Sequence, residues 1–312
     1  MNIVLLDADS LGVHIDLSSI ASLGSFTQYS DTAPAEVIAR ISQADIIIVN
    51  KIEISRNIIE QCKQLKLICV SATGTNNIDH QAAKEHNVEV KNVKGYSSES
   101  VAQITWGMIL QLINQINYFD NYVKSGEYCQ SAMFTNFGRS YQELHTMQLG
   151  IIGLGNIGEK VAKIAEAFNM KIAFHSPSGK RKHGLYAKMA LKEILATSDI
   201  VSIHTPLTDF TLNLIGKEEL RQMKSDSILI NTARGGIINE AALAEAIDAN
   251  LIGGAGIDVF TTEPMKEDNP LLRVHNKEKL ILTPHIAWAS EQARKMLIVG
   301  IAENISNFLA QQ

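Results

Sequence analysis

The chain has 312 residues, enough for two domains of roughly 150 residues each. Hydrophobic residues at 46% and charged residues at 20% are globular proportions, which exclude long disordered, collagen-like or fibrous segments. A formal net charge of −5 argues against nucleic acid as a partner, because neutralising many phosphates takes a basic excess; a local basic pocket remains compatible with it.

Taken in order, the N-terminal MNIVLLDADS lacks a basic leader region and meets Asp7 and Asp9 at once, so it reads as a first strand and not as a signal peptide. Apolar runs follow at DIIIVN (45–50), at KLICVSA from Lys66, and at VEVKN (88–92), with helical patterns between them. Strands spaced by helices imply parallel β-α-β units. Cys62, Cys69 and Cys129 form an odd set without a C-x-x-C pair. Neither a disulfide framework nor a thiolate zinc site is expected, no metal is assigned, and a reduced, cytoplasmic setting is the default.

The pattern changes at GYSSES (95–100), before a stretch from 100 to 119 that carries no charge. Its length approaches that of a membrane span, but Gln103, Gln111, Asn114, Gln115 and Asn117 would be costly to bury in lipid. It reads as a helix buried in protein, with Ser100 and Gln103 as a capping box, and no membrane is expected as a partner. A second strand series follows: QLGIIGLG, MKIAFH, DIVSIH, DSILINTA, GGAGIDV and KLILTPH. Two series favour two domains, and the last helix, 290–309, follows the second sheet and is free to return to the first. There is no solenoid-length repeat and no low-complexity segment.

Gly153-Leu-Gly155-Asn156-Ile157-Gly158 follows an apolar run and opens the helical pattern EKVAKIAEAF. In that context Gly153 permits a tight turn, Gly155 lets backbone approach a pyrophosphate, and Gly158 lets helix and strand pack closely, with the helix N-terminus toward the anion. An NAD site would normally place an acid about 20 residues on, to hold the ribose 2′-hydroxyl. Here the chain reads His175-Ser176-Pro-Ser-Gly-Lys180-Arg181-Lys182, without an acid. A hydroxyl followed by three cations suits a 2′-phosphate, and the same residues also fit a solvated basic loop, so NAD(H) and NADP(H) both stay open.

Three later segments fall at strand ends, where open α/β sheets place their crevice: INTARGG with Arg234, GIDVFTTEP with Asp258 and Glu263, and TPHIAW with His285. Reduction of a 2-keto acid needs a cation for its carboxylate and carbonyl, and a proton donor at the carbonyl oxygen. An arginine fork, a carboxylate that favours the imidazolium, and a histidine that titrates near neutrality form that set.

With SATGTNNID, GLGNIG, HTPLT, INTARGG, GIDVFTTEP and TPHIAW occurring in order, the chain resembles the D-isomer-specific 2-hydroxyacid dehydrogenases over nearly its whole length. The resemblance implies Arg234 as substrate anchor, Glu263 as partner of the histidine and His285 as acid–base catalyst. It implies that backbone amides around Ala72, Thr73 and Gly74 bind the substrate carboxylate. His204, Pro206, Thr211, Thr232, Ala233 and Asp258 would line the cofactor with the glycine turn and Ser176, Asp258 lying at the nicotinamide carboxamide. The implied architecture is α/β, two doubly wound parallel-sheet domains. A Rossmann cofactor domain (98–288) would be inserted in a flavodoxin-like substrate domain (1–97 plus 289–312), and the helix from Ser100 would lie at a homodimer interface.

Within the family, GYSSESVAQ, Phe137 with Glu143-Leu144, DNPLL and HIAWAS are most similar to hydroxypyruvate reductases, also called glycerate dehydrogenases. Gln103 stands where many relatives carry Glu, Met147-Gln148 replaces a commoner Gly-Lys, and no appended regulatory domain is expected. Hydroxypyruvate or glyoxylate is the expected substrate, reduced reversibly to the D-2-hydroxy acid. The alternatives are pyruvate or a bulkier keto acid, and a dinucleotide-sensing interaction protein like the family's corepressors.

Overall fold

The computed structural model describes residues 1–12 and 14–312, which fall into two compact units: Met1–Ser97 with Ala289–Gln312, and Ser98–Trp288. The first holds a five-stranded parallel sheet of β1 (Asn2–Leu5), β2 (Ser25–Gln28), β3 (Ile46–Val49), β4 (Leu67–Val70) and β5 (Glu89–Asn92), in the order β2-β1-β3-β4-β5. That is the flavodoxin order. β3 and β4 are buried at every residue, as central parallel strands covered on both faces must be. β2, reading SFTQ at the edge, is largely exposed; without an apolar run it gives no strand signal in the sequence.

The helix Glu291–Leu309 belongs to this first unit. Ser290 caps it by accepting from Ala293 N at 3.2 Å, and it buries Leu297, Ile298, Ile301, Ile305 and Phe308. It packs on β4, β5 and the short helix Ser18–Ala21, and Asn304 Nδ2 donates to Asn92 O at 3.1 Å.

The second unit has seven parallel strands: β6 (Gln148–Ile152), β7 (Lys171–His175), β8 (Ala187–Lys188), β9 (Ile200–Ile203), β10 (Ile228–Asn231), β11 (Gly254–Ile257) and β12 (Leu280–Leu282). Their order is β12-β11-β10-β9-β6-β7-β8, the Rossmann arrangement extended by one strand, with its switch point between β6 and β9. β8, two exposed residues at the edge, is also silent in the sequence.

The uncharged stretch differs from its expected form in two ways. Its helix runs Ser98–Ile113, so Ser100 is inside it and is not the N-cap; the Ser100 hydroxyl instead donates to Ala287 O at 2.6 Å. The chain then breaks at Gln115, in a left-handed conformation with φ of 49°, and resumes as Ile116–Lys124. The first helix is buried on one face: Trp106 donates to Val161 O at 3.1 Å and stacks on Phe168 with ring centroids 5.2 Å apart. Among the described residues no helix is long and apolar enough to cross a membrane.

Phe174 on β7 is fully buried in the core between sheet and helices. Phe174→Ala should destabilise the second unit by about 3–5 kcal/mol, the usual cost of emptying a buried aromatic site. The shift of its unfolding transition in urea measures this.

Candidate functional site

In a parallel sheet all strand ends of one kind lie along one edge, so the loops after β6, β7, β9, β10, β11 and β12 share the carboxyl edge of the second unit. Every candidate residue of this unit lies there: Gly153–Gly158 after β6, Ser176 after β7, His204, Pro206 and Thr211 after β9, Thr232–Arg234 after β10, Asp258 and Glu263 after β11, His285 after β12.

The turn after β6 fits a dinucleotide. Gly153 has φ of +95°, and a Cβ there would lie 2.7 Å from His204 O. A Cβ on Gly158 would collide with the Gly153 carbonyl, whereas one on Gly155 would meet nothing within 4 Å. The first two glycine requirements are internal to the fold; at Gly155 the space beside the backbone is open. Gly155 is the N-cap of the helix Asn156–Ala167 and supplies no side-chain cap, leaving the first-turn amides of Asn156 and Ile157 to an anion.

After β7, Ser176 is 5% exposed and its hydroxyl accepts from Arg181 N at 3.3 Å. The Arg181 guanidinium pairs with Glu159 in the first turn of the fingerprint helix. Among the described residues Lys180 and Lys182 have no ion-pair partner. His204 bonds through Nε2 to Ser202 Oγ at 2.8 Å, its Nδ1 is buried without a partner, and burial lowers its pKa to about 3. It is a neutral ring. The Thr211 hydroxyl donates to Pro206 O at 2.7 Å and accepts from Thr208 N at 2.8 Å, so this side chain shapes the loop that carries Pro206. Thr232 bonds to Thr105 at 2.9 Å, tying the β10 loop to the helix Ser98–Ile113.

The catalytic candidates converge through β10, β11 and β12. His285 Nδ1 lies 2.7 Å from Glu263 Oε2, and Glu263 Oε1 accepts from Phe260 N at 3.0 Å, which fixes the carboxylate. With Nδ1 so engaged, Nε2 is the nitrogen left to meet a substrate oxygen. The pair is partly open, with side-chain exposures of 25% and 28%. His285 has φ of 54° and its amide donates to Asp258 O at 2.8 Å, so the chain holds a left-handed histidine at the point where its side chain meets Glu263. Asp258 is fully buried. Its carboxylate accepts from Thr283 Oγ1 at 2.5 Å, Ile286 N at 2.9 Å and Ala287 N at 2.9 Å, and burial pushes its pKa up from the ordinary carboxylate value. Oδ2 takes one of these donors and keeps capacity for a further one.

Arg234 is half-buried, with Nη1 donating to Ala233 O at 2.7 Å. Asn231 braces its loop, donating to Arg234 O at 2.9 Å and accepting from Ala233 N at 3.0 Å. The loop lies directly on the Glu263 loop, since a Cβ on Gly235 would collide with the Phe260 carbonyl. Two residues here were given no role by the sequence. Thr283, inside TPHIAW, clamps Asp258, and Glu240 accepts from Thr261 N, Thr261 Oγ1 and Asn269 Nδ2 at 2.6, 2.8 and 2.8 Å, bracing the loop that carries Glu263.

In the first unit, Ala72, Thr73 and Gly74 follow β4. Thr73 Oγ1 donates to Val93 O at 3.1 Å, and Asn92 Nδ2 donates to Thr73 O at 2.5 Å. Among the described residues no acceptor pairs with the three amides, which suits them to an anion. Among the described residues no cluster of His, Cys, Asp or Glu is placed to hold a metal ion.

Comparison with known proteins identifies the family. The family described as D-isomer specific 2-hydroxyacid dehydrogenase, NAD binding domain, matches residues 106–287. The chain is 37% identical over 309 residues to the glycerate dehydrogenase of Methylorubrum extorquens, covering 99% of this chain and 96% of that one. It is 34% identical over 317 residues to the hydroxypyruvate reductase of Blautia hydrogenotrophica, covering 99% and 97%. A solved acyclic imino acid reductase, Bsp5, in complex with NADPH and D-Arg superposes with a TM-score of 0.87 at 31% identity, covering 100% and 98%. The chain belongs to the D-isomer-specific 2-hydroxyacid dehydrogenase family. It is an oxidoreductase with an NAD-binding domain.

Because backbone meets backbone at Gly235, Gly235→Ala should drive the Arg234 and Glu263 loops apart. A loss of about 1–3 kcal/mol of stability, typical of overpacking, should accompany a fall in kcat/KM of roughly a hundredfold, the scale of a 1 Å misplacement. Steady-state kinetics beside a thermal melt would show both.

Proposed function

We propose that the protein reduces a small 2-keto acid, hydroxypyruvate or glyoxylate, to the D-2-hydroxy acid, reversibly, with NADH or NADPH. The observation that carries the reading is the His285–Glu263 pair, with Nε2 of the histidine free to act. The names of the two enzymes to which the chain is similar over nearly its whole length, glycerate dehydrogenase and hydroxypyruvate reductase, support the choice of substrate. When bound, the reduced nicotinamide supplies the hydride that adds to the keto carbon.

The chain's own residues do the rest. Amides of Asn156 and Ile157 bind the pyrophosphate, and Thr232, Ala233, His204 and Pro206 line the cofactor. Asp258 offers its remaining acceptor capacity to the carboxamide while holding the histidine loop. Amides at Ala72, Thr73 and Gly74 bind the substrate carboxylate. Arg234 forks onto the carboxylate and the carbonyl oxygen, stabilising the charge that grows there. His285 delivers a proton from Nε2 to that oxygen, and Glu263 stabilises the imidazolium before transfer and fixes the ring orientation throughout. In the reverse direction Nε2 takes the hydroxyl proton. With Ser176 and the cations of 176–182 at the end of β7, NADPH is accepted as well as NADH.

A spectrophotometric panel of hydroxypyruvate, glyoxylate, pyruvate and bulkier keto acids with both cofactors tests the assignment; highest kcat/KM for pyruvate or a bulky acid would overturn the substrate choice. His285→Gln should lower kcat by about 10²–10⁴-fold, the range for losing a general acid, with cofactor affinity unchanged by fluorescence titration. Wild-type turnover would remove His285 from the mechanism.

The same reading includes a cytoplasmic homodimer. Gln103 and Gly107 form an uncharged exposed strip on the helix Ser98–Ile113, and Ile116, Val123, Met133, Phe134 and Phe137 beyond it are 53–86% exposed, an apolar load that a monomer rarely leaves in water. Sedimentation velocity should give a dimer, and replacing Phe134 and Phe137 by Ser should shift it toward monomer.

A further inference from the structure

The Arg181–Glu159 pair is the feature of the cofactor edge that neither the glycine turn nor the catalytic set requires. Both residues are partly exposed, at 47% and 32% of their side chains. The pair nevertheless links two separate pieces of the dinucleotide edge. Glu159 follows Gly158 in the first turn of the fingerprint helix, where the pyrophosphate is received. Arg181 is anchored through its backbone to the Ser176 hydroxyl, at the strand end where the adenosine ribose is received. The guanidinium therefore lies between the two, and it pairs with a carboxylate of the protein.

We propose that Glu159 is a specificity-determining residue: by holding Arg181, it withholds from a 2′-phosphate the cation best shaped to bind it, and so keeps NADH competitive with NADPH in a loop that has no ribose-binding acid. The inference rests on the reading that residues 176–182 face the adenosine ribose. A guanidinium pairs with carboxylate and phosphate through the same fork of donors, so the two acceptors compete directly for Arg181. An exposed ion pair is weakly held, so a 2′-phosphate can capture the arginine at a penalty and NADPH is still accepted. Lys180 and Lys182, without an ion-pair partner among the described residues, add charge to the loop but not the planar fork.

Two probes that differ only in the 2′-phosphate, adenosine 2′,5′-bisphosphate and 5′-AMP, separate this contact from hydride transfer. Titration calorimetry on the full chain should show Glu159→Gln binding the bisphosphate about tenfold more tightly, a gain of the size that removing a competing charge can give, with 5′-AMP affinity changed less than threefold. Arg181→Gln should weaken the bisphosphate by a similar factor, and the double variant should match Arg181→Gln. If Arg181→Gln weakens the bisphosphate while Glu159→Gln changes nothing, the role of Glu159 falls and the reading of the loop stands. If the gain from Glu159→Gln persists in the double variant, Glu159 acts by direct repulsion and the proposed holding of Arg181 is wrong. If neither single variant alters the preference, the loop does not reach the 2′ position, and the reading beneath the proposal falls with it.

Discussion

The carboxylate of Asp258 organises the chemistry of the second unit. Lying at the end of β11 without solvent contact, it gathers three donors from residues 283–287, so the chain leaving β12 must turn back across the sheet edge and present His285 to Glu263. Burial raises its pKa; a carboxyl group that is harder to ionise in the folded chain than in the unfolded one makes its ionised form a cost to stability at neutral pH. The three donors offset part of that cost. What the chain obtains is a histidine fixed in ring orientation and backbone.

Much of this edge was legible in the sequence because its requirements are local. Gly153 and Gly158 are glycines for reasons of backbone contact, and the runs around Ile46, Leu67, Ile200 and Leu229 are apolar because both faces of a parallel strand are covered. The two strands that left no trace, β2 and β8, are exposed edge strands whose pairing depends on a neighbour and not on their own residues. The capping box at Ser100 misled for a related reason. Its serine and glutamine have the right spacing, but the helix starts at Ser98, and the Ser100 hydroxyl is drawn to a carbonyl 187 positions away, an attraction visible only in three dimensions. Likewise the uncharged run said nothing of the break at Gln115.

At the cofactor end, the basic loop after β7 read as three equivalent cations. In the fold they are not equivalent, because Arg181 has a carboxylate and the two lysines do not. Thr211 shows the same gap between motif and role, since its hydroxyl is consumed inside its own loop. A motif records which residues are required, while the hydrogen-bond partners record what each is required for.

The left-handed backbone at His285 restricts which residues can take its place. Most side chains in that conformation strain the chain, whereas asparagine adopts it with comparative ease. An asparagine at 285 would therefore remove the proton transfer proposed for His285 while sparing the turn and the Asp258 network. On the proposed mechanism, one substitution would separate a working enzyme of this fold from a folded protein that still holds its nicotinamide cofactor without turning it over.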